Sequence, residues 1–315
     1  MKKILLPNPL PLEWLSPYAA EYAFTTSDHH LNKKEIIAQI PEYDVFFTIY
    51  CPVDEEILLA GNKLKIVNTF GVGYNHIDII AAKQLGIKVC NCPNAVTVST
   101  AELGMGMIFN LLRRITEADR RMRAGDRTIW GALGLTGTNL LGKKLGIIGF
   151  GRIGQKIASY ASIFGMEIFY YNRSNKIDEA KKTAATYLPL DQLLASCDCI
   201  LLSVSLSETT TRMISERELA LMKSTAFLIN IARGAVVDEK ALLLALQQKT
   251  IAGAGLDVFI SEPDINESFL SLDNVVLTPH IGTETIATNH AVFTEAMTNV
   301  QDFFHGIKLQ NLVNP

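Results

Sequence analysis

Short runs of consecutive apolar residues alternate along this chain with longer segments whose apolar positions recur at helical spacing. In the first third, the runs fall at residues 3–6, 45–49, 64–68 and 87–90, and the helix-like segments at residues 33–39, 54–60 and 77–85. Such alternation predicts a parallel sheet with helices on both faces, because a strand covered on both sides has no polar face to show. Residues 99–123 read as one long helix able to bridge two domains, with Thr97, Ser99, Thr100 and Glu102 as cap material and Gly125 as the stop. Residues 127–144, rich in Gly, Thr and Asn, predict an irregular connection. A second series of strands follows at residues 145–148, 168–171, 199–204, 226–231, 254–258 and 275–277. The last helical segment, residues 285–304, has few strands left to cover and is expected to return to the first domain. The chain is therefore expected to be an α/β protein of two doubly wound parallel-sheet domains, residues 1–98 plus 285–315 and residues 99–284.

The second series opens on Gly149-Phe150-Gly151-Arg152-Ile153-Gly154, directly after the run 145–148 and before a helix-like stretch and another strand. In this strand–loop–helix–strand setting of roughly 30 residues, G-x-G-x-x-G predicts a dinucleotide site. Gly149 permits the tight turn, Gly151 lets backbone approach a pyrophosphate, and Gly154 lets the helix pack closely. The N–H groups at the helix start attract the anion.

Three later strands each run into one ionisable residue: Arg233 after residues 226–231, Glu262 beyond Asp257 after residues 254–258, and His280 after residues 275–277. Open α/β sheets bind ligands at the carboxyl ends of their strands. A guanidinium, a carboxylate and an imidazole arriving there separately outline a catalytic constellation.

Composition narrows the class. The 315 residues suit about two domains, and 48% hydrophobic with 19% charged residues is ordinary for a globular enzyme. A net charge of -3 argues against nucleic acid or an anionic membrane as partner. The basic cluster around Arg113, Arg114, Arg120, Arg121 and Arg123 is interleaved with Glu117 and Asp119, as on a solvated helix face. The apolar run at the N-terminus is too short for a signal core, which needs about 7–15 residues, and no stretch approaches the ~18 of a membrane span. A cytoplasmic location is expected. Cys90-Asn91-Cys92 and Cys197-Asp198-Cys199 lack a nearby His to complete a metal set, so buried reduced thiols and no metal are expected.

With these motifs in place, the chain resembles the D-isomer-specific 2-hydroxyacid dehydrogenase family, in its glyoxylate/hydroxypyruvate reductase-like branch. The resemblance rests on residues 71–78, Thr97 with Ala101-Glu102, residues 149–154, 230–238, 253–263 and 278–282. It implies a Rossmann dinucleotide-binding domain, a discontinuous flavodoxin-like substrate domain with the active site in the cleft, and usually a homodimer. It implies that Arg233 binds the carboxylate and carbonyl oxygen of a 2-oxo acid through its planar fork. His280 would exchange the proton with the substrate oxygen, and Glu262 would fix the ring and favour the imidazolium. Glu262→Gln is then expected to move the proton-donor limb of the reduction pH profile downward. The backbone of Gly71, Val72 and Gly73 would hold the substrate carboxylate, Asp257 would lie near the nicotinamide carboxamide, and Thr97 and Arg152 would line the cofactor site.

Where a carboxylate would normally receive the ribose 2′-hydroxyl, this chain has Asn172-Arg173-Ser174-Asn175-Lys176. With no acid to repel a 2′-phosphate, NADP(H) is expected to be preferred, NAD(H) being possible. The loop Thr48-Ile49-Tyr50-Cys51-Pro52 offers no Lys or Arg for a substrate phosphate, so a small 2-oxo acid is expected, with Tyr50 shaping its pocket. Ser205 stands where the family often has proline. Two other readings remain open: a dinucleotide-sensing binding protein, and a dehydrogenase of another hydride donor such as phosphite. Formate enzymes of this fold carry glutamine where Glu262 stands, which argues against formate.

Overall fold

The computed structural model describes residues 1–49 and 51–315, and the chain divides into two compact units, Met1–Val96 with Glu284–Pro315, and Thr97–Thr283. The first unit holds β1 (Lys2–Leu6), β2 (Tyr22–Thr26), β3 (Val45–Thr48), β4 (Ile66–Thr69) and β5 (Lys88–Cys90) in one parallel sheet of order β2-β1-β3-β4-β5. That is the flavodoxin-like order. One face carries the helices Lys33–Gln39, Glu55–Ala60 and Ile79–Gln84 on a core that includes Ile36, Ile57, Val67 and Ala82. On the other face the helix Ile286–Phe304 brings Val292, Phe293, Ala296 and Val300 onto Ile4, Phe47 and Ile66. Phe293 touches the rings of Trp14, Tyr18, Phe24, Phe47 and Phe70. Burying such a side chain contributes about 1.5–3 kcal/mol, which explains why a segment from the far end of the chain belongs to this unit.

The second unit holds β6 (Lys144–Ile148), β7 (Glu167–Tyr171), β8 (Thr186–Tyr187), β9 (Cys199–Leu202), β10 (Phe227–Asn230), β11 (Gly253–Leu256) and β12 (Val275–Leu277), all parallel, in the order β12-β11-β10-β9-β6-β7-β8. Counted from its own first strand this is the Rossmann order with one strand added. The helices Thr97–Arg113 and Arg152–Ile163 cover one face through Ala101, Ile108, Ile157 and Ala161. On the opposite face lie Leu193, Leu219 and Leu242, from three shorter helices.

Three features depart from the sequence reading. The helix expected over residues 99–123 is two helices, Thr97–Arg113 and Ile115–Arg123, because Arg114 turns left-handed at φ 53°. Its guanidinium grips Glu117 through two bonds of 2.7 and 2.6 Å, and the Asn110 side chain meets the Thr116 N–H and hydroxyl. These contacts offset the ~1–2 kcal/mol of a left-handed non-glycine residue. The edge strands β2 and β8 were not legible as apolar runs: only Tyr22 of β2 is buried, and both residues of β8 are exposed. Edge strands are half-wet, so the apolar signal fades there.

The four cysteines Cys90, Cys92, Cys197 and Cys199 are buried free thiols. Burial pushes Cys90, Cys92 and Cys199 up to about 12 and Cys197 up to about 11. Among the described residues no helix is long and apolar enough to cross a membrane.

Candidate active site

The register of the second sheet sets Asn230, Leu256 and Leu277 side by side at the carboxyl ends of β10, β11 and β12. Each strand then delivers one of the ionisable residues singled out above. After β10, Asn230 is buried and organises the turn, its amide donating to the Arg233 carbonyl at 3.0 Å and its oxygen accepting from the Ala232 N–H at 3.0 Å. Arg233 follows, half-buried, with Nη1 donating to the Ala232 carbonyl at 2.7 Å. Gly234 lies so close to the next loop that a Cβ there would stand 2.0 Å from the Phe259 carbonyl carbon and 2.4 Å from the Ile260 nitrogen. The Arg233 turn is thereby pinned against the segment that carries Glu262.

Glu262 is held from two sides. Its Oε1 accepts the Phe259 N–H at 2.7 Å, and its Oε2 lies 2.7 Å from His280 Nδ1. Burial pushes this carboxyl up, but the His280 contact, the Phe259 N–H and the charges of His280 and Arg233 together hold it below the usual glutamate range. Glu262 and His280 are thus in direct contact, and Arg233 is within electrostatic reach of the pair. His280 itself sits in the left-handed region at φ 54°.

Asp257 is 2% exposed. It accepts from the Thr278 hydroxyl at 2.6 Å, the Ile281 N–H at 2.8 Å and the Gly282 N–H at 3.0 Å. Burial raises its carboxyl above the usual aspartate value, against these three bonds and the His280 charge.

The glycine loop after β6 is equally specific. Gly149 has φ 98°, and a Cβ would meet the Ser203 carbonyl carbon at 2.7 Å, so this turn accepts no other residue without movement. A Cβ on Gly154 would come within 2.3 Å of the Gly149 oxygen, whereas above Gly151 nothing lies within 4 Å. Gly151 caps the helix Arg152–Ile163 without a side-chain bond, leaving the first-turn N–H groups, including that of Ile153, to be met from outside the helix. The Asn172 side-chain Oδ1 accepts the Phe150 N–H at 3.2 Å, and its Nδ2 donates to the Ser174 carbonyl at 3.0 Å, tying the end of β7 to the loop. Arg173 and Ser174 are exposed, while Lys176 is 3.7 Å from Glu179. The Thr97 hydroxyl oxygen is buried with no hydrogen-bond partner among the described residues. Ser203, absent from the sequence reading, donates to the Gly149 carbonyl at 2.7 Å. Its only sequence signal is its place just past β9, the strand that pairs with β6.

In the first unit the loop after β4 has its carbonyls engaged: Gly71 by the Cys92 N–H at 2.8 Å, Val72 by the Asn91 amide at 2.8 Å, and Gly73 by the Thr69 hydroxyl at 3.3 Å. The Val72 and Gly73 N–H groups donate to none of the described residues. Tyr50, expected to shape the substrate pocket, lies outside the described residues.

This loop, helix and strand-end arrangement is that of a dinucleotide-dependent oxidoreductase. The D-isomer specific 2-hydroxyacid dehydrogenase, NAD binding domain, matches residues 105–282. A glyoxylate reductase of Thermococcus onnurineus is 40% identical over 292 residues, covering 91% of this chain and 87% of that protein. A glyoxylate reductase of Pyrococcus furiosus is 37% identical over 99% of this chain and 95% of its own length. Among solved structures, the NADPH-dependent glyoxylate/hydroxypyruvate reductase of Sinorhizobium meliloti in complex with NADP and malonate aligns with a TM-score of 0.86 at 29% identity, covering 99% of this chain and 96% of that one. The chain belongs to the D-isomer specific 2-hydroxyacid dehydrogenase family, and its reaction is the reduction of a 2-oxo acid to a 2-hydroxy acid with a nicotinamide cofactor.

The packing of Gly234 makes a direct prediction. Gly234→Ala is expected to destabilise the protein by about 1–3 kcal/mol through overpacking and to lower activity by displacing Arg233. Urea unfolding read beside kcat/KM checks both, and unchanged values in the two would remove the pinning role.

Proposed function

We propose that this chain reduces a small 2-oxo acid of the glyoxylate or hydroxypyruvate type to the D-2-hydroxy acid, with NADPH preferred over NADH. The observation that carries the proposal is the Glu262–His280 contact of 2.7 Å beside Arg233. Arg233 suits a 2-oxo acid because its fork can bond the carboxylate and polarise the carbonyl while remaining charged. With Nδ1 committed to Glu262, the proton exchanged with the substrate oxygen is carried on His280 Nε2. In the first unit, the Val72 and Gly73 N–H groups suit a carboxylate.

The residues around Gly149 fit a dinucleotide. The space over Gly151, the start of the helix Arg152–Ile163 with no side-chain cap and the Thr97 hydroxyl, unpartnered among the described residues, suit a pyrophosphate and its neighbouring sugar. When bound, the dinucleotide supplies the hydride that reaches C2. Arg152 and Ile153, at the helix start, would flank the pyrophosphate, and Asn172, Arg173 and Ser174 would receive the adenosine ribose. Exposed Arg173, with no carboxylate beside it at the end of β7, supports a 2′-phosphate. Arg173→Ala is expected to raise KM for NADPH about tenfold, the worth of one charge-assisted bond, and to leave KM for NADH within twofold. Equal changes for both cofactors would remove this role.

Initial rates with glyoxylate, hydroxypyruvate, pyruvate and 2-oxoisocaproate, each with NADPH and NADH, test the whole reading. Fastest turnover of glyoxylate or hydroxypyruvate with NADPH is the expected result. Tight dinucleotide binding with no turnover would favour a sensor or another hydride donor such as phosphite.

We also propose a cytoplasmic homodimer. The buried free thiols suit a reducing compartment. Ile115, Met122, Trp130, Leu133 and Leu141 give residues 115–141 an apolar surface suited to a second copy. Sedimentation at micromolar concentration is expected to give twice 34.7 kDa, and a particle of single mass would overturn the assembly.

A further inference from the structure

His280 occupies a backbone conformation that non-glycine residues disfavour, at φ 54°. Something outside the residue must hold it there. The residues on both sides of His280 are bound to one buried group: the Thr278 hydroxyl and the Ile281 N–H share Asp257 Oδ1 at 2.6 and 2.8 Å, and the Gly282 N–H meets Oδ2 at 3.0 Å. Both ends of this clamp are anchored in the sheet. The Asp257 N–H donates to the Asn230 carbonyl at 3.0 Å, and the Thr278 N–H to the Leu256 carbonyl at 3.0 Å. The carboxylate is also tightly packed, since a Cβ on Gly282 would stand 3.2 Å from Oδ2. Three donors converge on two oxygens, a demand that an acceptor-only carboxylate meets and a side-chain amide, with one oxygen, does not.

We propose that Thr278 and Asp257 form a clamp that sets the His280 imidazole for proton transfer, with Thr278 a positioning residue that acts on the reaction only through His280. The inference rests on His280 as the proton donor. It gives Asp257 a task through the polypeptide, apart from any contact it makes with a cofactor. A hydroxyl is required at position 278 because backbone N–H groups supply only two of the three bonds. Valine keeps the shape of threonine and loses the donor. Serine keeps the donor.

The test compares Thr278→Val and Thr278→Ser, each alone and combined with His280→Asn, by kcat, KM for the 2-oxo acid and NADPH affinity. Thr278→Val is expected to lower kcat about 10- to 100-fold, the worth of one hydrogen bond to a charged group. NADPH affinity should stay within twofold, and Thr278→Ser should restore most of kcat. In the His280→Asn background, Thr278→Val should cost nothing further, because coupled residues fail to add. The same loss in both backgrounds, or an equal loss of NADPH affinity, would overturn the clamp. If Thr278→Val does not fold, Thr278→Ala removes the hydroxyl without adding bulk. A readout independent of turnover is the NMR signal of the His280 ring nitrogens and protons. It should shift in Thr278→Val and return in Thr278→Ser, and an unmoved signal in Thr278→Val overturns the proposal. Were the wild type inactive on every 2-oxo acid, the functional reading would fail, while this spectroscopic comparison would still decide the clamp.

Discussion

Arg233→Ala is expected to lower kcat/KM for the 2-oxo acid by about 100- to 10,000-fold, the loss of two hydrogen bonds to charged groups at about 1.5–3 kcal/mol each. The effect should be nearly confined to the acid. Arg233 lies in the turn after β10 and bonds its own neighbour Ala232, whereas the glycine loop follows β6. NADPH affinity, read by quenching of its fluorescence, should therefore change less than threefold. Arg233→Lys keeps the charge but not the fork, so it should recover only part of the loss. A variant within threefold of wild type in kcat/KM would remove Arg233 from substrate binding.

His280→Asn is expected to lower kcat about 100- to 10,000-fold, the usual contribution of a positioned general acid. Asparagine suits the experiment because it tolerates the left-handed backbone that His280 adopts at φ 54°. The turn should survive while the imidazole is lost. NADPH affinity should hold, and an unchanged kcat would show that the proton comes from elsewhere. Glu262→Gln should give a smaller loss, since the Phe259 N–H still finds an acceptor. The linkage has a definite sign. The Glu262 carboxyl is lowered in the folded protein, so its contribution to stability is complete above the ordinary glutamate value and is lost as pH falls through the lowered one. The difference in Tm between wild type and Glu262→Gln should therefore shrink as pH falls below about 4.3. A difference that instead grew as pH fell below that value would contradict the placement.

The candidate site was legible to different depths. Gly149, Gly151 and Gly154 could be read because their tasks are local, set by one turn and the helix that follows it. Arg233, Glu262 and His280 could be read as three residues past three strand ends and grouped as a constellation, but their separate roles came only from the family resemblance. The clamp on His280 had no local signal and Ser203 only its place just past β9, since each depends on a bond to a residue brought in by another strand. Asp257 was placed beside the cofactor by resemblance, and its three bonds to the His280 turn are visible only in the folded chain.

By itself the sequence determined the α/β class, the strand–helix series of each half and the dinucleotide loop, because apolar periodicity and turn chemistry act over a few neighbouring residues. The tertiary structure alone decided the break at Arg114, the edge strands β2 and β8, the grip of Asp257 on the His280 turn and the contact of Glu262 with Nδ1. These depend on sheet order. Strands adjacent in space bring together side chains some 20 residues apart, as with Asp257 and Thr278 at a separation of 21, and no pattern along the chain records which strand lies beside which.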